Sequence, residues 1–176
     1  TTCILCSCRP QFNNSDSVLQ KIGSLYSKRE MTDVTLIVGN QEFPAHRLIL
    51  SVSSEVFQVM LTNPHWVESQ EKRVVLQESP ACASVFEEFL QYFYTGRIRI
   101  NPEVVVSILT LADKYNIKDL VKLCGDYMLV HIPHAAVNNH LVSWLQYTVQ
   151  CRHFQVAQVG KRVPEVCPPR PLDTLA

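Results

Sequence analysis

Cys3, Cys6 and Cys8 form C-x-x-C-x-C near the start of the chain. Thiolates at such spacing can ligate zinc, which takes four Cys or His donors in a tetrahedron. Three donors are only part of that set, and the sequence offers no obvious partners to complete it. His131 and His134 stand at H-x-x-H, but Pro133 lies between them and no third ligand is apparent. Histidines near the negative end of a helix dipole account for them without a metal. Cys151-Arg152-His153 sets a thiol beside an imidazole, the components of an activated nucleophile. Neighbouring residues on a helix point about 100° apart, so these two pair poorly. Val159-Gly160-Lys161 lacks the rest of a phosphate-binding loop, and G-x-S-x-G, G-x-G-x-x-G and H-E-x-x-H are all missing. Five glycines in the whole chain leave little for cradling a phosphate. The expectation is no enzyme, no cofactor and no metal.

Composition narrows the class further. The 176 residues suit one domain, or one domain and part of a second. Hydrophobic residues are 47% and charged residues 18%, the balance of a folded globule rather than a disordered chain. Lys and Arg number 16, as do Asp and Glu, so the formal net charge is zero. Nucleic acid or an anionic membrane as main partner calls for a basic surface, which this balance does not provide. No apolar run reaches the roughly 18 residues of a membrane-spanning helix.

Of seven cysteines, only Cys82, Cys124 and Cys151 lie outside the two ends, and all three sit in apolar helical stretches. An odd number of thiols behaving as small hydrophobes fits a reducing cytosol. Asn13-Asn14-Ser15 points the other way, being an N-glycosylation sequon on Asn13 that matters if the full-length chain is secreted.

Periodicity places the elements. Ser15 or Ser17 can cap a helix with Val18, Ile22, Leu25 and Tyr26 on one face. Residues 33–38 read as a strand, Gly39-Asn40 as a two-residue turn, and 41–43 as the returning strand, ended by Pro44. Short helices are expected at 46–51 and 55–61, then a break at Asn63-Pro64 and a third strand over 74–76. One helix over 83–94 stops at Gly96, and Asn101-Pro102-Glu103 starts another running to Tyr115. A further helix covers 118–130 and stops before Pro133. The last, roughly 137–158, is aromatic-rich with nothing evident to pack on. This order predicts an α+β fold, a small β-sheet flanked by a cluster of α-helices.

Dispersed blocks within this region resemble the BTB/POZ domain. They are residues 33–38, Phe43-Pro44-Ala45-His46-Arg47, Leu50, Ser53-Ser54, Val56-Phe57, Val85-Phe86, Phe89-Leu90 and Tyr92-Phe93-Tyr94-Thr95-Gly96. Leu111-Ala112-Asp113-Lys114-Tyr115, Ile117, Leu120 and Cys124 continue the match, which runs from residue 16 to about 130. His46 falls at a strand-to-helix corner where an imidazole can bond backbone and fix the turn. The resemblance implies a homodimer built partly on Val18, Ile22, Leu25 and Tyr26, with Asp33 and Arg47 lining a shared charged pocket. An ordinary surface salt bridge between that pair, worth ~0.5 kcal/mol, is the other reading.

Residues 131–158 resemble the start of a BACK domain, the helical module that often follows BTB. The expected division is a disordered tail over 1–14, BTB/POZ over 15–130, partial BACK helices over 131–158 and a proline-rich disordered tail over 159–176. Residue 1 is Thr, as in a processed product or fragment, and Val-Gly-Lys after Gln158 is what reading through a splice donor would encode.

Two functions follow from the resemblance. BTB substrate adaptors dock on cullin-3 ubiquitin ligases through a hydrophobic residue, any residue and an acid after the third helix. Trp66-Val67-Glu68 occupies that place, following Phe57, Met60 and Leu61. Trp66 either anchors that interface or folds onto its own domain. The alternative is oligomerisation without ligase work, as in BTB transcription regulators or the secreted galectin-binding type. The partners expected are therefore a second copy, cullin-3 and an unknown protein target, in the cytoplasm unless a signal peptide lies upstream.

Overall fold

Val34-Thr35-Leu36-Ile37-Val38 is rich in β-branched residues and alternates between core and half-exposed positions, and it forms β1 (Val34–Val38). In the computed structural model, which describes residues 13–137 and 140–150, β1 is the centre of a sheet ordered β2-β1-β3. Gly39, at φ +58°, turns the chain into antiparallel β2 (Gln41–Ala45). The parallel neighbour β3 (Arg73–Leu76) lies on the other side. Register sets Leu36 opposite both Phe43 and Val74, and with Val34, Val38, Ala45 and Leu76 they make one face of the sheet largely apolar. Pro44 does not end β2; it pairs with Thr35 inside it. The sheet order puts β2 at an edge, where proline is tolerated.

A parallel β1–β3 pair needs a long crossover. It consists of α2 (Arg47–Ser53), α3 (Glu55–Thr62) and α4 (Val67–Gln70), the last a single turn beyond Asn63-Pro64. Ser54 separates the first two, accepting from the Phe57 amide at 3.1 Å and donating to the Tyr115 carbonyl at 2.6 Å. Before the sheet lies α1 (Ser15–Lys28), where the Asn13 side chain accepts from the Ser15 amide at 3.0 Å.

The remaining helices cover the sheet's apolar face. The helix expected over 83–94 is two, α5 (Pro80–Ser84) and α6 (Phe86–Thr95), because Val85 leaves helical geometry at φ −108°, ψ 3° and both it and Phe86 are buried. Gly96 closes α6 in the left-handed region at φ +63°. The Asn101 side chain accepts from the Glu103 and Val104 amides, and the turn it opens becomes α7 (Val105–Lys114).

The chain does not stop before Pro133. Helix α8 (Lys118–Val137) carries the proline inside, and α9 (Leu141–Gln150) follows. A proline within a helix costs about 3 kcal/mol. Ile132 and Ala135, buried on either side of it, offset that loss. The boundary expected between 130 and 131 thus falls in mid-helix. Nor does α9 lack a place to pack: Trp144 is fully buried, and its indole N–H donates to the Pro102 carbonyl at 3.2 Å.

At the centre Phe57 stacks on Tyr115, with ring centroids 4.4 Å apart and planes 8° apart. Phe86 and Phe89 close around the same tyrosine at 6.5 and 5.7 Å.

Candidate interaction surfaces

Helix α1 presents two faces. Val18 and Leu19 are about half exposed, while Ile22 and Leu25 are partly covered. Tyr26 turns inward onto Tyr94, 4.8 Å between centroids, and burial pushes its phenol pKa well above the usual range, with Glu87 adding to the effect. Gly23 allows the approach to α6: a β-carbon there would lie 3.3 Å from Thr95 Cγ2. The stripe of four residues expected at one interface is therefore divided, with Tyr26 in the protein's own packing.

Where β2 meets α2, His46 is buried and bonded three times. Its amide donates to the Tyr94 hydroxyl at 3.0 Å, and Nδ1 lies 2.9 Å from the same oxygen. Nε2 lies 2.7 Å from the Glu30 carbonyl, which can only accept, so Nε2 carries the proton. With that tautomer Nδ1 accepts from the tyrosine hydroxyl. The imidazole fixes the corner and reaches no nucleophile.

Asp33 and Arg47 do meet, though not as charges. Asp33 Oδ1 accepts from the Arg47 backbone amide at 2.7 Å, tying the start of α2 to the start of β1. The ion pairs among the described residues are Arg73–Glu42, Lys114–Glu78 and Lys118–Glu55, so the expected surface salt bridge is not formed. The Arg47 guanidinium runs instead to the carbonyls of Leu61, Ser69, Glu68 and Glu71, the first three at 3.0, 3.1 and 3.3 Å. Its side chain is thus engaged within its own chain.

The crossover carries the second surface. Phe57, Met60 and Leu61, expected at the cullin interface, are core residues. A partner can touch Val56 and Val59 on the opposite side of α3, together with Leu48 and Val52 of α2, all exposed. Spacing alone does not separate the two sides: positions 57, 60 and 61 follow the i, i+3, i+4 pattern of a buried stripe, but so do 56, 59 and 60. Trp66 stands at the cap of α4 with 46% of its surface exposed, and Val67 beside it is more exposed still. Glu68 lies in the first turn of α4, half-buried.

No group of three or more His, Cys, Asp or Glu comes together as a metal site among the described residues. His131 stacks on Tyr127 at 4.1 Å, with Nδ1 2.9 Å from that residue's carbonyl. The side chain of His134, the cysteines at 3, 6 and 8, the Cys151–His153 pair and the 159–176 segment lie outside the described residues. No described helix is long and apolar enough to cross a membrane.

A three-stranded sheet capped by helices, with exposed apolar residues on α1, α2, α3 and at Trp66, fits a protein-interaction domain. A family model, the BTB/POZ domain, matches residues 22–132, and the chain belongs to that family. It is 31% identical to BTB/POZ domain-containing protein 17 of Xenopus tropicalis, over 78% of this chain and 29% of that protein. It is also 31% identical to Kelch-like protein 7 of Rattus norvegicus, over 61% of this chain and 18% of that protein. The chain thus spans under a third of the length of these relatives. Among solved structures it is similar to the BTB domain of human gigaxonin, with TM-score 0.54 and 25% identity, covering 67% of this chain and 96% of that one.

Proposed function

We propose that this BTB domain self-associates through α1 and serves a substrate adaptor that docks on cullin-3. The observation that carries the reading is Trp66, an exposed indole at the cap of α4 just after the third helix, with Val67 and Glu68 following. A tryptophan is a large, stiff anchor whose burial in a partner groove gains much for little lost freedom. The exposed Val56 and Val59 of α3 extend the apolar surface it offers. Likeness to Kelch-like proteins supports the same reading, since an adaptor is expected to carry a target-binding repeat beyond its BTB domain. Such an adaptor performs no covalent chemistry. It holds its target near a charged ubiquitin carrier, and a second copy, contributed through Val18, Leu19, Ile22 and Leu25, supplies avidity.

Light scattering on the chain mixed with the amino-terminal domain of cullin-3 tests both halves at once. Two copies of each protein in one complex are expected; a monomeric chain, or a dimer that elutes apart from cullin-3, contradicts it. A second reading, a secreted oligomerisation module, rests on Asn13 of the sequon being exposed at the entry to α1. It requires a glycan on Asn13 when the full-length protein passes through a secretory pathway, seen as a mass loss on glycosidase treatment.

A further inference from the structure

The carbonyls that Arg47 gathers are the ones left over where helices end. The last four carbonyls of a helix have no intrahelical donor. In α3 the Val59 carbonyl is satisfied by the Asn63 amide at 3.1 Å, and the Leu61 carbonyl by Arg47 Nη1. In α4 the Val67 carbonyl takes the Glu71 amide at 3.2 Å, while the Glu68 and Ser69 carbonyls go to Arg47, as does that of Glu71. One guanidinium therefore bridges the negative ends of both helices, the position where a helix dipole favours a cation. Between those ends lies the four-residue connection that presents Trp66. Its own bonds are local: the Trp66 amide donates to the Asn63 carbonyl at 3.0 Å, and its carbonyl accepts from the Ser69 hydroxyl at 2.7 Å. These bonds shape the turn, and Arg47, pinned at its own amide by Asp33, holds the helix ends on either side of it.

We infer that Arg47 is a positioning residue for Trp66, its guanidinium fixing the height and direction at which α3, α4 and the turn between them present the indole. This rests on the reading of Trp66 as the docking anchor and adds what holds it in place. Lysine cannot substitute fully, because an ammonium is a point charge on a flexible stem and lacks the planar two-armed fork.

The test is fluorine NMR of the whole chain labelled with 5-fluorotryptophan, which gives one signal each for Trp66 and the buried Trp144, assigned with Trp66→Phe. Arg47→Ala is expected to move or broaden the Trp66 signal and leave that of Trp144 in place. If Arg47→Ala fails to fold, seen as collapse of the Trp144 signal, Arg47→Lys decides: it retains the charge and is expected to displace Trp66 part of the way. Affinity for the amino-terminal domain of cullin-3 should fall about tenfold in Arg47→Lys, with the dimer mass unchanged. A Trp66 signal unmoved in every folded variant overturns the inference. If the wild-type chain does not bind cullin-3 while Arg47 variants still displace Trp66, positioning stands and the docking reading fails.

Discussion

Phe57 and Trp66 are aromatic residues nine positions apart with opposite tasks, and their surroundings decide which is which. Phe57 is fully buried and stacked on Tyr115. Removing such a ring costs about 3–5 kcal/mol, so Phe57→Ala is expected to lower the unfolding midpoint sharply in denaturant titration. Val59→Asp, two positions on but on the exposed side of α3, should leave that midpoint nearly unchanged and weaken partner binding instead. The reverse pattern would return Phe57 to the interface. Sequence alone identified the helix but not its orientation, because apolar residues at 56, 57, 59, 60 and 61 surround most of its circumference. His46 was easier to read: a lone imidazole at a strand-to-helix corner has backbone groups within reach, and it bonds Glu30 and Tyr94. Arg47 was not legible, since its acceptors are carbonyls 14 to 24 positions away and carbonyls leave no mark on a sequence.

At the scale of elements, β1, the turn after it and helices α1, α2, α3 and α7 follow from local signals. The single turn of α4 and the division of α5 from α6 do not, although serine caps α3 and α5 and glycine follows α6. Nor do the carboxy-terminal helices, because distant contacts override a local rule. Pro133 should end α8, yet burial of Ile132 and Ala135 carries the helix through it. Helix α9 has no visible partner in its own neighbourhood, and its anchor, Trp144, bonds the carbonyl of Pro102, 42 positions earlier. Trp144→Ala is therefore expected to destabilise the whole domain by about 3–5 kcal/mol, in a single cooperative transition. A variant that frays only after residue 137, with the midpoint of the remainder unchanged, would show α9 to be an appendage.

For the molecule as a whole, the buried tyrosines and Cys124 predict how stability responds to alkali. Burial raises the Tyr94 pKa from 10.0 to about 12 and that of the Cys124 thiol from 9.0 to about 12, and it pushes Tyr115 upward as well. Below about pH 8 these groups are protonated in both the folded and unfolded chains, so they give stability no pH dependence. Between about pH 8 and 12 the unfolded chain releases protons that the folded one retains, the Cys124 thiol first, which favours unfolding as pH rises. The urea midpoint should fall steadily through that range, and Cys124→Ala should remove the part of the fall that precedes tyrosine ionisation. A midpoint flat to pH 12 would mean these groups are open to solvent.

Whole-molecule function turns on whether the Trp66 surface is a docking site. Titration calorimetry of the chain with the amino-terminal domain of cullin-3, beside Trp66→Ala and Glu68→Lys, measures this most directly. Sub-micromolar binding by the wild type, about −8 kcal/mol or tighter, is expected, lost in both variants while each remains a folded dimer. Binding that survives both substitutions, or a folded wild-type dimer that binds no cullin-3 at all, would contradict it.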